Sequence, residues 1–371
     1  MKFIVSKKDI FKSLSHLQGI VDKKNSLPIL SNILLEVIEN KLVLSSTDMD
    51  ISIIENIDCE IIEEGATTIN AQIFYDVIRK LSDESNVEII SNDSKRLTIR
   101  SNKSKFSLSC LPKEDFPIIE NKRNGNKLTI KSSTLFKLID KTKFAISNEE
   151  TRYFLNGLYF NISNSNGNKL ITLVGTDGHR LATNSSLLDS NFDEIPGVII
   201  PRKTINELYK LLSENDQNIE IDITQNKINF YFKTIVLSSK LIDGNFPDYQ
   251  RVIPKENNNI LEINRIDLLN AVDRVGTVAN EKSPVVKLKL LENIINLSTV
   301  NNDNSTATED IKCNYNGDEI EIGFNSRYIM DIINNLENDN IIIKFKNNSS
   351  PIIVVEKTNP NLIYVLMPMR V

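Results

Sequence analysis

The chain of 371 residues has no tryptophan, only two histidines and three cysteines, and no long apolar run. Cys59, Cys110 and Cys313 are odd in number and form no Cys-x-x-Cys pair, so neither a disulfide framework nor a zinc finger is expected. Two histidines exclude a His-Glu-x-x-His site and multi-histidine metal sites. The apolar runs are far shorter than the roughly 20 residues of a membrane span, and the first residues do not resemble a signal peptide. We therefore expect a cytoplasmic protein with no membrane partner.

Motifs for nucleotide and acyl chemistry are also missing. The sequence contains no Gly-x-x-x-x-Gly-Lys-Ser/Thr, Gly-x-Gly-x-x-Gly or Gly-x-Ser-x-Gly segment, which argues against nucleotide hydrolysis and against an activated serine. A Ser-His-Asp arrangement using His179 stays open at this point. Asp48 and Asp50 could hold Mg²⁺, but a cap at a strand end explains them more simply. We predict no catalytic residues, no metal and no cofactor.

The charge of the chain limits the kind of nucleic-acid binding that is possible. The formal net charge is −5, and division near residues 125 and 255 gives sums of −2, +2 and −5. A protein that coats phosphates with its whole surface is not expected to be acidic. Any DNA contact must therefore be local.

One pattern of strands and helices is repeated three times along the chain. Each third opens with a β-alternating segment (from Phe3, Leu128 and Leu261) that runs into a one-faced helix, and each closes at a proline. Those prolines, Pro117, Pro247 and Pro368, are 130 and 121 residues apart. Ser6, Ser132 and Asn264 are the candidate N-caps of the first helices, and the second helices are predicted at 73–81, 205–212 and 329–336.

The repetition predicts the fold class and the domains. We expect an α+β protein of three similar domains, each with helices packed on antiparallel sheets. The predicted domains are 1–122, 127–253 and 258–371. Polar segments that lack periodicity separate them.

The most informative short stretch is Gly175-Thr176-Asp177-Gly178-His179-Arg180-Leu181, which follows a β-rich apolar segment. Asp-Gly is a strong turn signal, so a histidine and an arginine are presented at the turn after a strand. Such a turn is suited to a docking surface or a catalytic site, and a plain surface hairpin would look the same. Basic residues at helical spacing, such as Lys137 and Lys141, are equally compatible with a solvated face or with phosphate contacts.

Taken together, the motifs resemble the bacterial DNA polymerase III beta subunit family, the replicative sliding clamps, over essentially the whole chain. The segments that carry the resemblance are Met1-Lys2-Phe3, Leu27-Pro28-Ile29-Leu30-Ser31-Asn32, Thr47-Asp48, Phe106-Ser107-Leu108-Ser109, Arg152-Tyr153-Phe154-Leu155-Asn156-Gly157, Thr176-Asp177-Gly178-His179-Arg180-Leu181, Phe246-Pro247-Asp248-Tyr249, Ile322-Gly323-Phe324-Asn325 and Tyr364-Val365-Leu366-Met367-Pro368-Met369-Arg370.

The resemblance implies a DNA clamp fold, in which a head-to-tail homodimer forms a ring around duplex DNA. It implies a processivity factor for the replicative polymerase and no enzyme activity. The implied partners are the DNA polymerase III alpha subunit, the clamp loader, and other polymerases and repair proteins that present short clamp-binding motifs. Two other classes remain open from the residues alone, a hydrolase that uses His179 and a repeat-built scaffold that does not bind DNA.

The resemblance also implies site residues. The candidates for partner-peptide binding are Arg152, Leu155, Thr176, Gly178, His179, Arg180, Leu181, Pro247, Arg251, Val252, Asn325, Tyr328, Val365, Met367, Pro368, Met369 and Arg370. The candidates for DNA binding are Lys24, Arg79, Lys137, Lys141, Tyr153 and Lys203. Val275 and Val278 are the candidates for the dimer interface.

Three segments depart from the family pattern. Gln72 stands where better-known members have a basic residue, and 302–304 replaces a turn that contains proline. The polar segment 347–351 lies where an apolar residue often helps to line the peptide pocket. The first departure weakens one expected DNA contact, and the last changes the expected shape of the pocket.

Overall fold

The computed structural model describes residues 1–21, 27–39, 41–93, 95–120, 123–165, 167–188 and 195–370. The DNA-binding candidate Lys24 and the terminal Val371 lie outside the described residues. Within the described residues, no helix is long and apolar enough to span a membrane.

The described residues form six α-helices and 25 β-strands. The helices are α1 Lys7–Gln18, α2 Ala71–Arg79, α3 Ser132–Asp140, α4 Arg202–Ser213, α5 Arg265–Gly276 and α6 Ser326–Asn334. The strands are β1 Lys2–Ser6, β2 Asn32–Ile38, β3 Lys41–Thr47, β4 Ile51–Asp58, β5 Glu60–Glu63, β6 Gly65–Asn70, β7 Asn86–Asp93, β8 Arg96–Ser101, β9 Ser104–Leu111, β10 Asn126–Lys131, β11 Gly157–Ser165, β12 Asn168–Thr176, β13 Arg180–Leu187, β14 Ile195–Pro201, β15 Asn218–Ile223, β16 Lys227–Tyr231, β17 Ile235–Lys240, β18 Asn259–Asn264, β19 Val285–Leu291, β20 Ile294–Val300, β21 Thr306–Lys312, β22 Ile320–Asn325, β23 Asn340–Phe345, β24 Ile352–Glu356 and β25 Asn359–Leu366.

The strand pairing repeats three times, which confirms the α+β fold built from repeats. In each third the opening strand pairs antiparallel with the strand that follows the second helix, as β1 with β7, β10 with β15, and β18 with β23. A three-strand meander follows the first helix, and its first strand also pairs with the strand before the second helix, as β2 with β6, β11 with β14, and β19 with β22. The second helices, α2, α4 and α6, overlap the predicted ranges.

The helix starts agree with the cap predictions at two of the three positions. Ser6 accepts a hydrogen bond of 3.1 Å from a backbone N–H in the first turn of α1, and Asn264 accepts two such bonds at the start of α5. Ser132 lies inside α3, and its hydroxyl bonds the backbone of Asn215 and Gln217. The cap prediction for Ser132 is therefore wrong, because a neighbouring backbone segment competes for the hydroxyl.

The chain divides into two compact units, and the middle third contributes to both. Unit 1 is Met1–Leu135 with Lys203–Leu241, and unit 2 is Phe136–Arg202 with Ile242–Val371. The described strands of unit 1 form one sheet of order β10-β15-β16-β17-β4-β3-β2-β6-β9-β8-β7-β1-β5. Those of unit 2 form a sheet of order β14-β11-β12-β13-β25-β24-β23-β18 and a four-stranded sheet of order β21-β20-β19-β22.

Each unit contains one pairing between strands of neighbouring repeats, which we call a seam. In unit 1, β17 of the second repeat pairs with β4 of the first, and this pairing is the first seam. In unit 2, β25 of the third repeat pairs with β13 of the second, and this pairing is the second seam. Both seams join the last strand of a repeat to the end of the first meander of the repeat before it.

Candidate functional site

The turn between β12 and β13 begins the second seam, and short side chains set its shape. Asp177 Oδ1 accepts from the backbone N–H groups of His179 and Arg180 at 2.9 and 3.0 Å. Thr176 Oγ1 donates to the Arg180 carbonyl at 2.7 Å and accepts from Gly178 N at 3.1 Å. Gly178 has φ +88°, a conformation that glycine adopts without strain. The predicted turn is therefore present, with its backbone groups already bonded.

Beside this turn lies a cavity of about 330 Å³ with a mainly apolar lining. Ten of the sequence-predicted peptide residues line it, namely Arg152, Leu155, Thr176, Gly178, Arg180, Leu181, Pro247, Val252, Val365 and Met367. Phe154 and Tyr249 also line it and were missed. The cavity has the size and character of a site for a few bulky apolar side chains.

The floor of the cavity is part of the seam itself. Leu181 of β13 is the register partner of Val365 of β25, and both side chains are buried. Tyr249 and Val252 pack against them from the segment after Pro247. Because strand pairing holds the two floor residues side by side, the apolar surface exists before any ligand arrives, which lowers the cost of binding.

Arg180 lines the cavity, yet its charge is already used inside the protein. Its guanidinium pairs with Asp177 at 3.1 Å and with Asp331 at 2.5 Å, and it donates to the Phe144 carbonyl at 3.0 Å. The same group lies 4.5 Å from the ring centroid of Tyr328. Arg180 therefore fastens the second-seam turn to helix α6 and to the chain before β11, and a ligand meets mainly its apolar stem.

Arg152 forms part of the wall beside Gly178. A side chain in place of Gly178 would displace the Arg152 guanidinium, so the glycine lets Arg152 lie close to the turn and also adopts its φ angle without strain. Arg152 also pairs with Glu149 at 2.7 Å, and the hydrogen bond lowers the pKa of Glu149 and raises that of Arg152. The guanidinium is partly exposed and can exchange Glu149 for a ligand group.

The other predicted peptide residues lie outside this cavity. They are His179, Arg251, Asn325, Tyr328, Pro368, Met369 and Arg370. His179 stacks on Tyr328 with ring centroids 6.1 Å apart, and burial raises the pKa of Tyr328. Asn325 caps α6 by accepting from the backbone N–H groups of Arg327 and Tyr328. Met369 N donates to the Gly323 carbonyl at 2.8 Å.

Arg251 lines a neighbouring groove of about 750 Å³ that shares Val252 and Met367 with the cavity. Ser350 and Pro351 of the polar segment also line this groove. Asn347 Oδ1 accepts from Ser349 N and Ser350 N, so the segment forms a turn whose amides are already bonded. The departure from the family pattern therefore affects the groove and not the apolar cavity.

Two of the DNA-binding candidates are held by protein partners. Lys203 Nζ lies 2.5 Å from Asp48 Oδ2 and 2.7 Å from the Ile20 carbonyl. Lys141 is buried, with its ammonium 2.9 Å from the Asn335 carbonyl and paired with Glu337. Both amines would have to leave these partners to reach a phosphate.

The remaining described DNA-binding candidates are exposed. Lys137 lies on α3, and Tyr153 follows Arg152 on a short 3₁₀ turn. Arg79, at the end of α2, forms an ion pair with Asp76 at 3.1 Å, lies over the Tyr75 ring and remains accessible. Gln72 bonds Gln18 and Asp76, so its amide is occupied within the unit.

The two dimer candidates differ in burial. Val275 is only 2% exposed and belongs to the core of unit 2. Val275 is therefore too deeply buried in its own unit to contribute its side chain to an interface, because the apolar stripe of α5 points into the core at this position. Val278, just beyond α5, is half-buried.

The contacts of Asp48 distinguish between the two interpretations of Asp48 and Asp50, a Mg²⁺ site or a cap at a strand end. Its Oδ1 accepts from Asp50 N at 3.0 Å and from Ile51 N at 2.8 Å. The residue therefore caps the turn between β3 and β4, as the simpler interpretation predicted.

The repeated α+β fold and the two seams define a repeat-built scaffold, and the apolar cavity at a strand end is its candidate binding site. Sequence profiles of the DNA polymerase III beta subunit match in order over nearly all of the chain, the N-terminal domain at 1–120, the central domain at 129–248 and the C-terminal domain at 250–370. The chain belongs to the DNA polymerase III beta subunit family. It is therefore a DNA sliding clamp, a processivity factor that is not itself catalytic, and the hydrolase alternative is set aside.

Individual relatives match along their full length. The beta sliding clamp of Caulobacter vibrioides is 40% identical over 372 residues, and that of Escherichia coli K12 is 34% identical over 371, with 100% of both chains covered in each case. Among solved structures, a sliding clamp from Bartonella birtlesii bound to griselimycin has a TM-score of 0.96 at 40% identity, with 100% of both chains covered. One from Pseudomonas aeruginosa, also bound to griselimycin, has a TM-score of 0.95 at 32% identity and the same coverage.

Proposed function

We propose that two copies of this chain close head to tail into a ring around duplex DNA. In this ring the cavity of the second seam binds short segments of replication and repair proteins. The observation that carries the proposal is the repeated seam. The last strand of the second and third repeats, β17 and β25, pairs with the preceding repeat. The corresponding last strand of the first repeat, β9, has no preceding repeat in its own chain.

In both seams, the last strand of one repeat pairs with the end of the first meander of the repeat before it. Applied to β9, this repeat rule gives β21 of a second copy as its partner. β21 ends the first meander of the third repeat, the position that β4 and β13 hold in the other two, and it is the edge of its four-stranded sheet. β9 pairs with β6 only at Leu111 and Cys110, which leaves the preceding residues of that edge available. Lys105 on β9 faces solvent, as does Asp310 on β21, and opposite charges favour this pairing over self-pairing.

When two copies close head to tail, the β9 edge and the β21 edge of each copy are both paired. A head-to-tail contact either closes or polymerises, and a closed assembly leaves no free seam strand. With the family shown, we take two copies as the closed form. Val278 and the half-buried apolar side chains Phe106 and Ile311 are the candidates for the closing seam.

Ring closure explains how an acidic chain can stay on DNA. A closed ring leaves DNA only at a free end or by opening, so a few phosphate contacts are sufficient and sequence recognition is not needed. We assign these contacts to the exposed Arg79, Lys137 and Tyr153, with Lys141 and Lys203 available only if they leave their present partners. Lys24 keeps its assignment on the family pattern alone.

The partners follow from the cavity. A polymerase held by the ring rebinds its template at high effective concentration, which is the physical basis of processivity. Apolar anchors of a short segment would fill the cavity over Leu181 and Val365, and Met367 can repack around different anchors. We assign this site to the DNA polymerase III alpha subunit, the clamp loader, and other polymerases and repair proteins of a cytoplasmic replication system.

Retention on DNA of different topology tests the ring. The clamp is loaded onto nicked circular DNA by its clamp loader and ATP, free protein is removed, and the circle is cut at a single site. Release that follows cutting, but not mock digestion, is the expected result. Equal residence times on circular and cut DNA would mean that binding is not topological.

Calorimetric titration with a clamp-binding peptide tests the cavity. Met367→Ala should cost roughly 2 kcal/mol of binding free energy, the size expected for a buried anchor contact. Met369→Ala is the matched control, because Met369 is in the same tail but does not line the cavity. Removal of 367–371 should weaken peptide binding at least as much while the sedimentation of the dimer stays unchanged. Wild-type affinity of the Met367 variant would remove the cavity from the proposal.

A further inference from the structure

Unit 1 contains a second cavity, of about 220 Å³, where the first seam begins. The turn that borders it repeats the bonding of the second-seam turn atom for atom. Thr47 Oγ1 donates to the Ile51 carbonyl at 2.9 Å and accepts from Met49 N at 3.0 Å. Asp48 Oδ1 accepts two backbone N–H groups, as Asp177 does. Met49 therefore occupies the place of Gly178, and Ile51 that of Arg180.

The rest of the lining is equivalent by strand register. Ile51 pairs with Ser239 on β17, as Arg180 pairs with Leu366 on β25. Pro117, from the closing proline of the first repeat, lines this cavity as Pro247 lines the other. The first-seam cavity is thus the counterpart, one repeat earlier, of the proposed peptide site.

The two cavities differ in chemistry. Where the second seam has Leu181, Val365 and Met367, the first has Ser52, Ser238 and Lys240. These three floor positions are therefore polar or basic, in a cavity that Ile51, Pro117 and Ile119 also line. They can bind an anionic group that is flanked by apolar side chains.

Two lysines that line the cavity, Lys227 and Lys240, favour a ligand with negative charge. Lys240 is the direct cross-strand partner of Lys227, and like charges placed opposite each other are unfavourable. Asp50 neutralises Lys240 at 2.9 Å, and Glu120 has an interaction of its own. Within the part of the chain that the structure describes, the Lys227 ammonium has no ion-pair partner, although it lines the same cavity as Asp50 and Glu120. It is therefore the cation that an added carboxylate would meet.

The rim of the first-seam cavity carries exposed apolar side chains. Ile118 is 93% exposed and Met49 is 54% exposed. Met49 also has φ 80°, a conformation that is strained for a residue with a side chain. Exposed apolar groups around a polar floor are a mark of an interaction site, and retained strain at the same place is consistent with one.

We propose that the first-seam cavity is a second docking site, which takes an extended peptide segment with a carboxylate flanked by apolar side chains. The carboxylate binds between Lys227 and the serine hydroxyls of the floor, and the flanking side chains contact Met49 and Ile118. The proposal rests on the proposed function, because it takes the second-seam cavity as the peptide site of which this one is the counterpart. Because the floor of the second-seam cavity is apolar and that of the first-seam cavity is polar and basic, one chain would bind two different segments at once.

The test is a titration followed by NMR of protein labelled with ¹³C in its methionine and isoleucine methyl groups. The probe is acetyl-Leu-Glu-Leu-amide, and acetyl-Leu-Gln-Leu-amide is the matched probe without the charge. The methyl signals are assigned with Met49→Leu and Ile118→Val. We expect saturable shifts at Met49 and Ile118 with the acidic probe, and binding up to about fivefold weaker with the amide probe, which is the size that the loss of one exposed charge contact implies.

Variants on the protein side complete the test. Lys227→Glu should weaken binding of the acidic probe about tenfold or more, because reversal turns attraction into repulsion. Lys233→Glu is the control, since this exposed lysine lies in the turn at the other end of β17. The proposal would be overturned by shifts that never saturate, by equal affinity for the two probes, or by unchanged binding in Lys227→Glu. Saturation by a DNA duplex but not by the peptide would overturn it as well. Met367 reports the second seam separately, so failure at that site is distinguishable from failure here.

Discussion

Replacement of the buried His16 should remove a large part of the stability of unit 1. His16 is 5% exposed on α1; its Nδ1 lies 2.9 Å from Glu55 Oε2 and its Nε2 lies 3.2 Å from Glu214 Oε2. Burial, the largest influence, lowers the pKa of His16, but hydrogen bonds and charge from Glu55 and then Glu214 outweigh it, so the pKa is raised above 6.5. The imidazolium therefore links α1, β4 and the end of α4.

The magnitude follows from what His16→Ala leaves behind. Glu55 is 6% exposed in its side chain and would lose its cation, whereas Glu214 is 39% exposed and keeps Lys12 at 3.2 Å. Stranding one buried charge costs about 3 kcal/mol, the lower end for broken buried pairs. Lys12→Ala is the control and should cost less than about 1 kcal/mol, because that pair is exposed.

The pH dependence supplies an independent check. Since the folded pKa is raised, the stabilisation by His16 is fully present below about pH 6.5, the unfolded value, and is lost as the pH rises through the folded pKa. Urea unfolding at fixed protein concentration, followed by circular dichroism from about pH 6 to about pH 9, should show the gap between wild type and His16→Ala narrowing as pH increases. A gap under about 1 kcal/mol at pH 6, or one that widens with pH, would refute the charged bridge.

Three further predictions concern backbone strain at Met49, the half-buried Arg180 and the DNA contacts. Met49→Gly should stabilise the protein by up to about 1 kcal/mol in urea unfolding, because it relieves a side chain at φ 80°; a lower midpoint would contradict this. Arg180→Lys should destabilise by about 2 kcal/mol or more in thermal unfolding, since a point charge cannot satisfy two carboxylates and a carbonyl together, and an unchanged melting temperature would count against that role. Lys137→Glu should shorten retention on circular DNA for all sequences alike and reduce the salt slope by about one, with Lys233→Glu as control; loss confined to some sequences would exclude a phosphate contact.

Most of the fold could be predicted from sequence because its signals are local. Alternating apolar residues mark the opening strands, i, i+3 and i+4 spacing marks the helices, and the recurrence of Pro117, Pro247 and Pro368 shows the repeat. The seams could not be predicted in this way, since they pair β17 with β4 and β25 with β13 across distant parts of the chain. Periodicity places a side chain on a face of its strand, and it does not select the strand alongside.

The candidate site shows the same limit. The turn at Asp177 was predictable because the Asp-Gly pair bonds its own backbone. Phe154 and Tyr249 were missed although they stand within motifs that carried the resemblance, and adjacency to Leu155 and Pro247 is the signal that could have indicated them. His16 is 39 residues from Glu55 and 198 residues from Glu214 along the chain. No local sequence pattern predicts that these three side chains meet.

The free edges of the seam strands connect the fold to the proposed ring. An unpaired edge is a hazard for aggregation unless its partner is specified. β21 alternates half-buried with exposed side chains, and the exposed ones include Asp310 and Lys312, whose charges disfavour pairing with an arbitrary strand. The repeat rule that pairs β17 with β4 and β25 with β13 predicts that the edge strand β9, which carries the exposed Lys105, pairs with β21 of a second copy. If the rule holds, Leu108→Asp on β9 should convert the dimer to monomers in sedimentation while leaving the folded chain intact, because Leu108 is only half-buried within its own unit. A dimer that survives this change, at concentrations where wild type is dimeric, would mean that closure uses another surface.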